Sequence, residues 1–324
     1  MRAPSPEHAA VTDSQHSQAD TLAFASLALR PEILSAVAAL NYDAMTPVQA
    51  KSLPALIEGR DLLAQAKTGS GKTAAFAISL LNRLDESAYH TQALVICPTR
   101  ELAEQVAEEI RRLARGIPNV KTLTLCGGRP MGPQLASLKR APHIVVGTPG
   151  RLLKHLAKET LRIDRVETLV LDEADRMLDM GFIPDVKRII RHNKPVGERQ
   201  TLLFSATFND DVLNLVNNWT RDAEFIEIEA EQLTTDKVDQ TVFMVSADEK
   251  LNVICNYIQK NGVERAIIFG NRRDETRRLQ ETLRRLAIKC ALLSGEVPQH
   301  KRIKTLEGFK KGDIQIASTP NDAI

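Results

Sequence analysis

Aromatic side chains are scarce in this sequence: Phe, Tyr and Trp make up 4% of 324 residues, with a single tryptophan. They do not interleave with the basic residues, which argues against a platform that stacks successive bases of a nucleic-acid strand. Cysteine is as sparse. Cys97, Cys126, Cys255 and Cys290 stand far apart, with no C-x-x-C pair and no His/Cys ligand spacing, so a zinc site and a disulfide framework have nothing to build on. Buried, reduced thiols in a cytosolic protein are the expectation. No uncharged apolar run reaches the roughly 18 residues that span a bilayer, and Met1 to Asp20 lacks the apolar core of a signal peptide. A cytoplasmic protein with no membrane partner is expected. An excess of one charge is missing too: 43 Lys+Arg face 41 Asp+Glu, a net charge of +2. No overall field draws this chain to nucleic acid, so any such contact must come from local placement of basic groups.

What the chain has is enough apolar material, 43% of its residues, for two cores, and a length that suits two domains. Residues 1–20, rich in Ala, Ser, Pro, Gln and His, have almost nothing large to bury and read as a disordered tail. From near Leu22 short apolar runs alternate with helix-period segments. The runs are Asp61–Ala64, Ala93–Ile96, Thr122–Leu125, Ile144–Val146, Leu169–Leu171 and Leu202–Phe204, and continuous runs of this kind suit strands buried on both faces. Between them, Leu102, Val106, Ile110 and Leu113 mark one face of a helix over Glu101–Arg115. The alternation predicts an α/β fold with an open, mostly parallel sheet whose ligands gather at the carboxyl ends of the strands. Residues 231–238 are polar and aperiodic and read as a linker. A second alternation follows, with strands expected at Thr241–Val245, Ala266–Phe269, Cys290–Leu293 and Ile314–Ala317, and helices at Glu249–Gln259 and Glu275–Leu286.

Three short strings carry the chemistry. Ala66-Lys67-Thr68-Gly69-Ser70-Gly71-Lys72-Thr73 follows a strand-like run and opens a helix, a geometry that aims successive backbone N–H groups and a helix dipole at one spot. Lys72 is placed to reach terminal phosphates and the Thr73 hydroxyl to complete a Mg²⁺ shell. Average residue usage gives such a string in roughly 2–3% of chains this long by chance, so a bland surface turn is a poor account of it. Asp172-Glu173-Ala174-Asp175 follows the run Leu169–Leu171. One carboxylate at the exit of a buried strand can hold hydrated Mg²⁺ while the next orients the attacking water, which assigns Asp172 to the metal and Glu173 to the water. Lys72, Asp172 and Glu173 are therefore the candidate catalytic residues. Ser205-Ala206-Thr207 is a weak signal alone, but Asp175, Ser205 and Thr207 suit short hydrogen bonds between adjacent strand ends.

Taken together these strings resemble a DEAD-box RNA helicase, and the match runs from about Phe24 to Ile316. The resemblance implies ATP and Mg²⁺ as cofactors, RNA held without base reading as partner, and two tandem RecA-like parallel-sheet lobes. The first would be a complete ATP-binding lobe over 21–230, with an adenine-reading segment at 22–50, and the second a partial lobe over 239–324. Tyr42–Gln49 resembles the adenine-reading segment, in which Gln49 would bond the base edge. Phe24 is either the ring that packs on the base or a helix-anchoring core residue. Asn41 and Met45 stand where the family often has Gly and Pro. Pro98–Ala103, Gly127-Gly128 and Thr148–Arg151 resemble the strand-gripping segments, so Thr99, Arg100, Gly128, Thr148, Gly150 and Arg151 are expected to hold a phosphate track. Ala266–Arg272 and Ser294–Arg302 match segments of the second lobe and add Arg272, Gln299 and Arg302 to the RNA-binding set. The wording of Val297–Arg302 is similar to the bacterial branch associated with RNA-degrading machinery.

The family continues with a segment whose arginines reach the γ-phosphate, and such an arginine contributes about 10³–10⁵ in rate. Asn321–Ile324 supply no guanidinium, and Pro320 is not expected to continue a central strand. A truncated product or fragment is thus expected, one that binds ATP, hydrolyses it poorly and leaves a thin second core with an unpaired sheet edge. Besides the helicase, an ATP-gated RNA-binding protein without productive hydrolysis and a DNA-acting motor stay open from sequence.

Overall fold

The computed structural model describes residues 23–228, 239–294 and 297–320. The tail expected over 1–20, the linker expected over 231–238, Gly295-Glu296 and the last four residues lie outside them. The described residues form two compact units, the first of residues 23–127 and 131–228 and the second of residues 239–294 and 297–320 together with 128–130.

The first unit begins with α1 (Pro31–Ala39) and α2 (Pro47–Glu58) and then alternates strand with helix, with two helices between the fifth and sixth strands. The strands are β1 (Leu62–Gln65), β2 (Ala93–Ile96), β3 (Thr122–Leu125), β4 (Ile144–Gly147), β5 (Thr168–Asp172), β6 (Gln200–Ser205) and β7 (Glu224–Glu227). Between them run α3 (Lys72–Arg83), α4 (Arg100–Leu113), α5 (Met131–Leu138), α6 (Pro149–Ala157), α7 (Ala174–Asp179), α8 (Ile183–Ile190) and α9 (Asp210–Trp219). All seven strands are parallel, in the order β3-β4-β2-β5-β6-β1-β7. Because side chains alternate across a strand, each run feeds two cores. Leu62, Ala64, Val95, Val146 and Phe204 face a layer closed by α1 to α4, while Leu63, Leu94, Ile96, Leu171 and Leu203 face a layer closed by α6, α8 and α9. Strand β7 carries no continuous apolar run. It is an edge strand in which only Ile226 is buried, and it is held by its ladder to β1.

The amino ends of the strands are tied by Asp61. Its two carboxylate oxygens accept the Thr201 N–H (2.6 Å) and the Arg221 N–H (2.7 Å), joining the starts of β1 and β6 to the loop before β7.

The second unit contains α10 (Lys250–Lys260), β8 (Ala266–Gly270), α11 (Arg273–Arg285), β9 (Cys290–Leu292), α12 (Gln299–Lys311) and β10 (Ile316–Pro320). Its parallel sheet has the order β8-β10-β9, and its core is small: Cys255, Ile258, Leu279, Leu283 and Ile316. Two expectations are corrected here. Thr241–Val245 is not a strand: Val242 and Met244 are 85% and 94% exposed, and no described strand pairs with the segment. Pro320 does end a central strand, opposite Gly270 in register, because it lies beyond the last β9 pairing at Ser318. Among the described residues no helix is long and apolar enough to cross a membrane.

Replacing Asp61 with Ala removes the acceptor of one buried and one part-buried N–H donor, and the first unit is expected to lose about 2–3 kcal/mol of stability in urea unfolding. Asp61→Asn, which keeps an acceptor oxygen, should lose less.

Candidate nucleotide site and nucleic-acid edge

Three neighbouring strands, β5, β6 and β1, end at the same edge of the sheet. The loop after β1 is fastened at its start, where the Ala66 N–H donates to the Ser205 carbonyl (2.9 Å). It turns through Gly69 at φ +82° and Gly71 at φ +96°, left-handed conformations that glycine adopts without cost. Gly71 is also the N-cap of α3 and brings no side-chain bond, which leaves the first N–H groups of that helix available to an anion. Lys67, Thr68 and Gly69 are exposed on the loop, Ser70 and Thr73 are half-buried, and Lys72 is buried.

The Lys72 ammonium lies 3.3 Å from one carboxylate oxygen of Asp172, which is fully buried at the end of β5. The Lys72 Nζ, both Asp172 oxygens and the Ser70 hydroxyl make no hydrogen bond in the structure. Buried polar atoms without partners mark a place built for something else to bind. Burial pushes the Asp172 carboxyl above its ordinary range, and the Lys72 charge opposes that shift. An open carboxylate with the Thr73 hydroxyl on the facing helix turn suits a hard cation. Among the described residues no group of three or more His, Cys, Asp or Glu side chains could hold a metal, so a cation here would take most of its shell from water and phosphate.

Glu173 follows at φ +56° and ψ +57°, a left-handed conformation that costs a non-glycine residue about 1–2 kcal/mol. Such strain persists where the surroundings enforce it. Its carboxylate is half-buried and lies at the outer limit of hydrogen-bond reach from the Thr68 hydroxyl (3.5 Å). Asp175 bridges to the neighbouring strand end. Its Oδ2 accepts from the Ala206 N–H (3.1 Å), the Thr207 N–H (3.1 Å) and the Thr207 hydroxyl (3.2 Å), and its own N–H donates to Ser205 Oγ (3.2 Å).

Gln49, near the start of α2, is buried with both ends of its amide engaged. Oε1 accepts the Thr46 N–H (2.9 Å), and Nε2 donates to the Gly71 carbonyl (3.1 Å). A Cβ on Gly71 would lie 2.7 Å from that nitrogen, so the glutamine braces the phosphate loop directly. Phe24 is buried in the core cluster with Ile33, Val37 and Met45, the packing one of its two readings requires. Asn41 occupies φ +57°, which explains why it can stand where the family often has glycine.

The other half of the sheet, β3-β4-β2, carries the three segments read as strand-gripping. Thr99 N-caps α4, its Oγ1 accepting the Leu102 N–H (3.3 Å) and keeping its own hydrogen to donate. The Arg100 guanidinium lies against Gly127, and Gly128 is exposed at φ +76°. Thr148 precedes α6 without a side-chain capping bond, and Gly150 is exposed on its first turn. Arg151 donates from Nη1 to Gln134 Oε1 (2.7 Å). Gln134 and the buried His155 beside it were invisible from sequence, since no spacing distinguishes one polar residue on a helix from another. In the second unit Arg272 is exposed ahead of α11 and paired with Asp274 (3.4 Å), while Gln299 and Arg302 lie on α12. The cysteines are free, with Cys97, Cys126 and Cys255 buried and Cys290 half-buried. Burial pushes the Cys97 thiol up, and the nearby Asp172 adds to the shift.

A glycine-turned loop feeding a helix, facing a buried carboxylate two strands away on a parallel sheet, defines a phosphate-loop nucleotide-binding α/β protein. Comparison with known proteins narrows the class. Residues 46–215 match the model of the DEAD/DEAH box helicase family, and residues 249–319 that of the helicase conserved C-terminal domain. The chain is 45% identical over 296 residues to the ATP-dependent RNA helicase RhlB of Pseudomonas syringae, covering 89% of this chain and 74% of that one. It is 44% identical over 295 residues to the ATP-dependent RNA helicase DbpA of Escherichia coli, covering 91% and 64%. Among solved structures, Saccharomyces cerevisiae Dbp5 bound to RNA and ADP BeF3 is similar with a TM-score of 0.82 and 25% identity, covering 92% and 76%. The chain belongs to the DEAD-box helicase family.

Removing the ammonium leaves Asp172 buried without a counter-charge. Lys72→Met is expected to lower stability by about 3 kcal/mol at pH 7, and adding Asp172→Asn should restore most of it. Without Lys72 the folded-state pKa of Asp172 lies further above the unfolded value of 3.8. The stability is then fully present below that value and lost as pH rises through the folded one, so the Lys72→Met deficit should shrink on acidification in thermal unfolding.

Proposed function

We propose that this chain is an ATP-dependent RNA helicase that couples ATP binding and hydrolysis at the β5-β6-β1 edge to gripping an RNA strand at the β3-β4-β2 edge. The observation that carries the reading is the buried, otherwise unpartnered Lys72–Asp172 pair beneath the phosphate loop. The N–H groups of the loop and of α3 would cradle the phosphates, and Lys72 would turn from Asp172 toward them as a point charge. Asp172 and Thr73 would hold Mg²⁺, whose charge neutralises developing negative charge on the phosphates. Glu173, the half-buried carboxylate of the pair, would orient the attacking water and accept its proton. Asp175 would carry the state of the site into Ser205–Thr207 through four short contacts.

The gripping segments present hydroxyls, backbone N–H groups and arginines, a set that holds phosphates without reading bases. Arg272, Gln299 and Arg302 would add contacts from the second unit. An ATP-gated RNA binder without hydrolysis is not favoured, since the relatives of this chain are named as ATP-dependent RNA helicases. Cytoplasmic residence is supported by the four free thiols. Association with RNA-degrading machinery is supported only by the wording of Val297–Arg302.

ATP hydrolysis by the purified chain should rise with single-stranded RNA and respond less to DNA of equal length. Glu173→Gln is expected to keep ATP binding and lose about 10²–10⁴ in kcat, whereas Lys72→Ala should lose binding as well. Hydrolysis that ignores RNA, or that survives Glu173→Gln, would overturn the reading.

A further inference from the structure

Two buried polar side chains beneath the gripping edge take no part in the scheme above. Gln134 on α5 and His155 on α6 lie under the loop after β3 and the start of α6. The Gln134 amide reaches three groups. Its Nε2 donates to the Cys126 carbonyl (3.1 Å), immediately before Gly127-Gly128, while its Oε1 accepts from Arg151 Nη1 (2.7 Å) and lies 3.0 Å from His155 Nε2. Reversing the amide would set its NH₂ against the guanidinium and its oxygen against the carbonyl, so the orientation is fixed.

His155 fixes it further. Its Nδ1 lies 2.9 Å from the Thr160 hydroxyl, and burial together with the Arg151 and Lys158 charges holds the ring neutral. Facing the acceptor Gln134 Oε1, a neutral ring carries its hydrogen on Nε2 and donates it there, while the Thr160 hydroxyl lies within reach of both Nδ1 and the His155 carbonyl (3.1 Å). An apolar pair would fill the same space without the cost of burying polar groups. It could not accept from an arginine and donate to a loop carbonyl at once, and that double contact joins two segments which sequence shows only as separate strings.

We propose that Gln134, oriented by His155, is a positioning residue that locks Arg151 and the Cys126-Gly127 turn into one rigid edge for the RNA backbone. The inference rests on the RNA reading of that edge. Immobilising Arg151 before RNA arrives removes an ordering cost from binding, which is where its effect on affinity originates.

The test measures anisotropy of a labelled oligouridylate on the whole chain with Mg²⁺ and a non-hydrolysable ATP analogue, with nucleotide affinity and thermal unfolding followed in parallel. Gln134→Leu and His155→Phe, both near-isosteric, are expected to weaken RNA binding about tenfold while nucleotide affinity stays within about twofold. Gln134→Glu still accepts from Arg151 but cannot donate to the Cys126 carbonyl, so its loss should be smaller. In an Arg151→Ala background Gln134→Leu should cost no more than about threefold, because the shared contact is already gone. Folded variants with wild-type RNA affinity, or fully additive losses in that background, would overturn the inference and leave the RNA reading intact. Should Gln134→Leu or His155→Phe fail to fold, Gln134→Glu decides: unchanged RNA affinity in that variant also overturns it. No RNA binding by the unaltered chain would overturn both.

Discussion

Lys72, in the first turn of the helix that follows β1, and Asp172, the last residue of β5, are carried by strands that are not neighbours, and much of the site follows from how they meet. Strand β6 lies between β1 and β5, so the two strand ends are about 10 Å apart at ordinary strand spacing. A long, flexible ammonium side chain from the first turn of α3 reaches the carboxylate (3.3 Å). A shorter residue at 72 would leave a fully buried carboxylate unpaired.

Ser205 is accordingly touched from both sides. Its carbonyl accepts the first N–H of the phosphate loop, and its hydroxyl accepts the N–H of Asp175. The same strand end then continues into the Thr207 contacts with the Asp175 carboxylate. Phosphate loop, carboxylate segment and Ser205–Thr207 therefore share one strand end, and a shift of any of them is felt by the other two. On the far side of β5, strands β2, β4 and β3 hold Thr99, Arg100, Gly127 and Arg151 on the same rigid sheet. The proposed division of labour is one of strand order: candidate nucleotide groups at β5-β6-β1, candidate gripping groups at β3-β4-β2, and the β2–β5 ladder between them.

Strand order is also what sequence conceals. The runs at 93–96, 144–146 and 202–204 are legible because strands buried on both faces must be apolar throughout. Glu224–Glu227 is not, because an edge strand needs only Ile226 inside. Thr241–Val245 misleads for the converse reason: Val242, Phe243, Met244 and Val245 form a continuous apolar run, yet a strand forms only where a partner strand supplies its ladder. Lys72 and Asp172 were legible as residue types in a motif, whereas their direct pairing required knowing that β6 separates them. The contact of Gln49 with Gly71 and the link from Gln134 to His155 were illegible, since a buried amide has no periodicity to betray it.

The two carboxylates buried in the described sheet locate the site without any motif. Asp61 at the amino edge and Asp172 at the carboxyl edge are the same residue type and nearly equally buried, so each bears a large desolvation cost. Asp61 recovers it within the fold, one backbone N–H on each oxygen. Asp172 accepts no hydrogen bond and has only an ion pair with a lysine that is itself unsatisfied. Folding alone selects for the first arrangement and against the second. A fold that keeps the second, at the edge where a helix dipole and free N–H groups also converge, retains unsatisfied charge that binding a polyanion with its cation would satisfy.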